Sequence, residues 1–201
     1  MKWSEISCPE RNNFYGPYDD NEMVVRGWFL NSIGINLDVL PDELFEPCEL
    51  ISSEDLKLSN PYEAKVDIRD IAGTKHTVYG GRTWIYAFIQ QHKTLYHIKA
   101  GNVTRGKYFR MLKQPLDKQP PCISLIKAKS GRYYVYTNGN HRVTFYKLMY
   151  LAELASGCDS NKYWLYAEIR DELKTYDIFL QACKYYLMGI VIFQFSILLI
   201  P

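Results

Sequence analysis

The residues with the most chemistry to offer stand together in the run Thr137-Asn138-Gly139-Asn140-His141-Arg142. Gly139 can take a positive φ and lets the backbone approach an anion closely. Asn138 and Asn140 can cap a helix or donate to ligand oxygens. Arg142 brings a planar, permanently charged fork that matches phosphate. His141 can donate a hydrogen bond or exchange a proton near neutral pH. After the run, Val143, Tyr146, Tyr150 and Leu154 recur at three- or four-residue spacing, which predicts a core-facing helix that starts at the motif. At a helix start the first backbone N–H groups have no intrahelical acceptor, and the helix dipole is positive there. A phosphate seated at that point gains several hydrogen bonds at once. The chemistry on offer is the binding of nucleotide phosphate or another anion by Asn138, Gly139, Asn140, His141 and Arg142, with His141 and Arg142 as the candidate catalytic residues.

Plainer roles compete for the same residues. Asn-Gly is a strong signal for a tight hairpin turn, a lone histidine is often structural, and a lone arginine often sits in a surface pair. The helical spacing that follows the motif argues against the hairpin. Elsewhere, Arg105, Lys107, Arg110 and Lys113 form a basic strip that reads as a solvated helix face, or as an extension of a phosphate or nucleic-acid surface if it lies beside Arg142. Glu153, Glu168, Asp171 and Glu172 are acids that could hold Mg²⁺ or act as a base, but their spacing fits no known metal motif. Gly80-Gly81-Arg82 is a second, weaker candidate for an anion turn.

The elements that must position the motif are legible in its surroundings. Cys122-Ile123-Ser124-Leu125-Ile126 reads as a strand, Lys129-Ser130-Gly131-Arg132 as a hairpin turn and Tyr133-Tyr134-Val135-Tyr136 as the returning strand. Gly157 is placed to close the helix after the motif, and residues 162–169 alternate as a further strand. Upstream, residues 96–100 alternate as a short strand and residues 104–113 read as a helix, closed by Pro115, Pro120 and Pro121. Residues 1–60 are broken by turn formers and acids, with a helix predicted over residues 22–35, one turn over 42–45 and a helix start at Ser52 or Ser53. Residues 83–91 fit either a buried helix or a strand.

Composition bounds the rest. With 201 residues, 47% of them hydrophobic and 23% charged, the chain reads as a folded protein of one or two domains. The formal charge of +2 is too small to imply nucleic acid by itself. Five dispersed cysteines, with no C-x-x-C pair and no apolar signal stretch in residues 1–5, point to reduced thiols in the cytoplasm and away from structural zinc. Residues 185–200 carry no charge, yet a membrane-spanning helix wants about 20 apolar residues. A buried terminal element is therefore expected ahead of a membrane anchor.

The run from Tyr133 through Val143, with the proline-led strand Pro120-Pro121-Cys122-Ile123-Ser124-Leu125 before its hairpin, resembles the signature of the ParB/sulfiredoxin-like superfamily, including its ParB-like nuclease domains. There a strand leads into a G-x-[HR]-R-type turn and then a helix. The resemblance covers residues 94–172. It implies an α+β fold, a small mixed sheet with packed helices; the residues before it, 1–93, read as a mostly helical or irregular region of unknown type and those after it, 173–201, as an apolar element. It also implies nucleotide phosphate at Gly139, His141 and Arg142, from ATP or CTP with Mg²⁺, in a phosphotransferase, a nucleotide hydrolase or a nuclease. A non-catalytic module that binds nucleic acid or a protein partner is the alternative on the same fold. Two departures narrow this. Asn140 stands where sulfiredoxins carry their catalytic cysteine, so sulfinic acid reduction is not expected. An apolar tail stands where partition proteins continue into a helix-turn-helix domain, so chromosome partition is not expected either.

Overall fold

The computed structural model describes residues 1–6, 20–52, 56–91, 98, 110, 113–118, 122–157 and 162–173. The fold is α+β, and the described residues build one mixed sheet of seven strands. The strands are β1 (Pro47–Leu50), β2 (Tyr62–Asp67), β3 (Ile71–Thr74), β4 (Arg82–Thr83), β5 (Ser124–Lys127), β6 (Tyr133–Val135) and β7 (Trp164–Asp171). Their order across the sheet is β2-β7-β5-β6-β3-β1-β4. β1, β3 and β6 run parallel to one another, whereas β5 and β6 form an antiparallel hairpin. The chain ends of β1, β3 and β6 therefore point to one end of the sheet, and β5 begins at that same end.

Three helices among the described residues pack with this sheet: α1 (Asp20–Ser32), α2 (Trp84–Gln90) and α3 (Asn140–Ala155). The stretch that fitted either helix or strand is α2. Thr83 caps it by accepting a hydrogen bond from the Tyr86 N–H at 3.4 Å, and Trp84, Ile85, Ala87, Phe88 and Ile89 are buried. α1 ends three residues short of the expected Ile35, because the Ile35 N–H folds back onto the Leu30 carbonyl at 3.0 Å. α3 is buried on nearly every side from Val143 to Glu153, as a helix at the centre of a core must be. Leu154, which the spacing placed in the core stripe, is 38% exposed, since it lies in the last turn just before Gly157 closes the helix. Phe29, Phe88 and Phe145 join the three helices through ring contacts of 4.8 to 5.7 Å.

The hairpin of β5 and β6, the turn before α3 and the strand after it follow the sequence closely. Residues 47–83 do not. Where composition points to a helical and irregular region, the structure has the strands β1 to β4, so the sheet runs continuously across residue 94. These strands are only two to six residues long, too short for alternation to announce them. The single turn at Asp42–Phe45 is present as a 3₁₀ turn. The helix start at Ser53, most of the helix over 104–113 and the run 185–200 lie outside the described residues; of the expected strand over 96–100 only Ile98 is described, and it is helical and buried. No helix among the described residues is long and apolar enough to cross a membrane.

Candidate functional site

The chain leaves β6 at Val135 and passes along the start of β5 before it enters α3. The Tyr136 N–H donates to the Ser124 carbonyl at 2.8 Å, and the Ser124 N–H donates to the Asn138 carbonyl at 3.1 Å. Gly139 then turns the backbone with φ +110° and ψ −3°, a conformation that favours glycine. A Cβ there would stand 3.0 Å from the Ile123 Cγ2, so the turn is packed as well as bent. Its carbonyl accepts the first helical bond, from the Val143 N–H at 2.8 Å, and no side chain caps the helix start.

A buried polar network fixes that start. The Thr74 hydroxyl, at the end of β3, donates to the Asn140 Oδ1 at 2.6 Å and accepts the His76 N–H at 3.0 Å. The Gln91 Nε2 donates to the Asn140 carbonyl at 3.2 Å and to the Thr144 Oγ1 at 2.6 Å. The Gln91 carbonyl in turn accepts from the fully buried Arg26 at 3.1 Å, and Arg26 is paired with Glu22 at 3.2 Å. Buried polar groups are tolerable only when satisfied, so this chain of bonds holds α1, α2, β3 and α3 in one arrangement around the turn. Because Oδ1 of Asn140 faces Thr74, its amide nitrogen is turned the other way, as a donor.

The loop after β3 lines the same end of the sheet. The His76 ring stacks on Tyr79 with centroids 4.4 Å apart, and Tyr79 meets His141 edge-on at 6.0 Å. The Val78 N–H donates to the His76 Nδ1 at 3.3 Å, which leaves the proton of the neutral ring on Nε2. Burial pushes the His76 pKa below its ordinary 6.5. The Lys75 ammonium lies 4.2 Å from the centre of the Tyr136 ring. The Arg142 guanidinium donates to the Cys122 carbonyl at 3.4 Å and so stands beside the first turn of α3. The named groups at this end are cations, amide or imidazole donors and aromatic rings, an assortment suited to an anion.

The structure thus brings Asn138, Gly139, Asn140, His141 and Arg142 to one helix start at the ends of three parallel strands. Thr74, Lys75, His76, Tyr79 and Gln91 join them, and no sequence motif singles these out. The one signal in the sequence is the polar step Thr74-Lys75-His76 directly after Ile71-Ala72-Gly73, and it says nothing of which strand lies alongside.

Other candidates are not drawn to the site. Glu153 pairs with Lys162 at 2.7 Å, Glu168 with Arg170 at 3.8 Å and Glu172 with Lys129 at 3.2 Å, while Asp171 accepts the Tyr62 hydroxyl at 3.0 Å. The Gly80 and Gly81 N–H groups donate to the carbonyls of His76 and Cys48, and Arg82 lies over the Tyr86 ring at 4.1 Å. That turn spends its donors on the protein itself. Among the described residues no group of three or more His, Cys, Asp or Glu side chains is placed to hold a metal ion. Compared with known proteins, the chain matches no family model, no curated protein and no solved structure.

Proposed function

We propose that the chain is a nucleotide- or phosphate-binding protein of the ParB/sulfiredoxin-like kind, with the phosphate held at the start of α3 by residues 138–142. The observation that carries this reading is the convergence of a glycine-led, side-chain-free helix start with Lys75, His76, Asn140 and Arg142 at the ends of parallel strands. In open sheets of this type ligands bind beyond the carboxyl ends of the strands, and anions favour helix starts. The motif resemblance supports the same assignment.

In this reading the N–H groups of the first turn and Arg142 hold the phosphate oxygens, and the Asn140 amide adds a neutral donor. His141, beside them on the helix, is the acid/base group, and Arg142 offsets the charge that builds on the phosphate. ATP or CTP is the nucleotide class, with Mg²⁺ carried on its phosphates. The reaction class is phosphotransfer, nucleotide hydrolysis or nuclease cleavage. A cytoplasmic location goes with this reading, because Cys48 and Cys122 are free thiols and suit a reducing compartment.

Calorimetry with ATP, CTP and GTP, with and without Mg²⁺, tests it. Saturable binding to the intact chain that is lost in Arg142→Ala supports the reading. Equal heats for the chain and the variant, or none for either, overturn it.

A further inference from the structure

β2 closes one side of the sheet. β7 pairs with one of its edges, and among the described residues no strand lies along the other. The bonds that flank β2 show which of its backbone groups face outward. The Ile68 N–H donates to the Tyr163 carbonyl at 2.9 Å, whereas the Glu168 N–H donates away from β2, to the Ile123 carbonyl at 2.9 Å. Inter-strand bonds alternate from residue to residue. Tyr62, Ala64 and Val66 therefore direct their N–H and C=O groups to β7, while Glu63, Lys65 and Asp67 direct theirs to the open edge. No bulge interrupts the register from Tyr62 to Asp67, so the edge stays extended over the whole strand.

Edge strands are ordinarily guarded by a bulge, by a proline or by charges that repel a second strand. β2 has no bulge, Pro61 stands just before it, and its charges alternate in sign as Glu63, Lys65 and Asp67. That alternation singles out one antiparallel pairing of β2 with its own copy. A pairing centred on Lys65 sets lysine against lysine and Glu63 against Asp67, and one centred on Glu63 sets glutamate against glutamate. Like charges directly opposite are unfavourable. A pairing centred on Val66 runs into Ile68–Asp70, where the chain has already turned into a 3₁₀ turn. Centred on Ala64, the pairing sets Glu63 against Lys65 twice and Tyr62 against Val66 twice, all within the strand. Ala64 then meets its copy on the axis as a non-hydrogen-bonded pair. Cα atoms of such a pair lie about 4.5 Å apart, and a small side chain fits there.

We propose that two copies of this chain pair through β2 about a two-fold axis at Ala64, which joins their sheets into one. Such an interface is self-complementary, as a two-fold dimer requires. Glu63 has further contacts within its own chain, and Lys65 lies over the Trp164 ring at 4.2 Å. Neither has to give these up, because the register is chosen by unlike charges standing opposite. Tyr62, an apolar side chain left 40% exposed, gains cover from the second copy. β7 and β5 separate β2 from β6, so the pairing is independent of the phosphate reading of the Asn138–Arg142 turn.

Sedimentation equilibrium of the full chain tests this, at up to about 100 µM, a hundredfold above a micromolar dissociation constant. The expected mass is twice 23.5 kDa. Lys65→Pro removes an outward N–H and should abolish the dimer, while an edge strand tolerates proline at such a position. Glu63→Lys and Lys65→Glu each put like charges opposite and should each weaken the dimer about tenfold. An equimolar mixture of those two variants should pair again, and so should the double variant Glu63→Lys with Lys65→Glu. Circular dichroism checks each fold, and if Lys65→Pro unfolds, the charge series decides alone. The proposal is overturned by a single-chain mass at the highest concentration or by a mass above two chains. It is also overturned by a dimer that survives in folded Lys65→Pro, or by a double variant no tighter than the single ones.

Discussion

Replacing Gly139 by alanine perturbs the candidate site at its most constrained point, and the cost can be worked from two terms. The first is conformational: at φ +110° an L-residue is strained by about 1–3 kcal/mol. The second is steric. The new Cβ would lie 3.0 Å from Cγ2, 3.1 Å from Cγ1 and 3.3 Å from Cβ of Ile123, which is fully buried and has nowhere to go. Forcing a methyl group into such a core costs about 1–3 kcal/mol. The two together give roughly 2–6 kcal/mol, a large part of the ~5–15 kcal/mol that holds a domain together. Urea denaturation reads the sum directly, and a thermal scan should show a fall of about 4–24 °C for a chain of this size. Gly157→Ala is the internal control. Its φ is +69°, but nothing lies within 4 Å of the added Cβ, so only the conformational term of about 1–2 kcal/mol applies. Removing both γ carbons of the neighbour, in Gly139→Ala with Ile123→Ala, should recover the steric part as a measurable coupling. If Gly139→Ala costs no more than Gly157→Ala, or the pair shows no coupling, the packed turn described above is wrong.

Three further outcomes follow from the same geometry. Gly73→Ala should prevent folding or lower the thermal midpoint by well over ten degrees, to be read by circular dichroism, because its Cβ would collide with the backbone of Glu49 on the adjacent β1. His76 should titrate below 6.5 by NMR, since burial lowers its pKa. The unfolded chain then binds the proton first, so the contribution of His76 to stability is present above about pH 6.5 and is lost as the pH falls through its folded pKa. A midpoint at or above 6.5 contradicts the packed environment given to its ring. Burial pushes the Cys48 thiol from 9.0 up to about 12. At neutral to mildly basic pH the native chain should therefore hold roughly a thousandfold less thiolate there than an ordinary cysteine does. Alkylation followed by peptide mapping should find Cys48 modified only after unfolding.

The sequence and the structure agree where signals are local. Asn138 to Arg142 is a helix start because Gly139 bends the chain and Val143, Tyr146 and Tyr150 repeat at helical spacing after it. The β5–β6 hairpin is announced by Ser130-Gly131, and the end of α3 by Gly157. What escapes the sequence is pairing between distant segments. β3 lies beside β6 although some sixty residues separate them, and that parallel pairing alone brings Thr74, Lys75 and His76 to Asn140. Gln91 and Arg26 are illegible for a related reason. A buried glutamine or arginine looks like a surface residue in the sequence until its partners, here Asn140, Thr144 and Glu22, are known. Leu154 shows the converse, since its spacing is right for the core but the helix ends beyond it.

Backbone NMR tests most directly the proposed binding of phosphate at the start of α3. Titration of the ¹⁵N-labelled chain with ATP, with CTP and with inorganic phosphate should move the amide resonances of Gly139, Asn140, His141 and Arg142 saturably, ahead of those elsewhere in the chain. The same titration of Arg142→Ala should leave them in place. Resonances at residues 139–142 that do not move, or that move equally in the variant, would contradict the account.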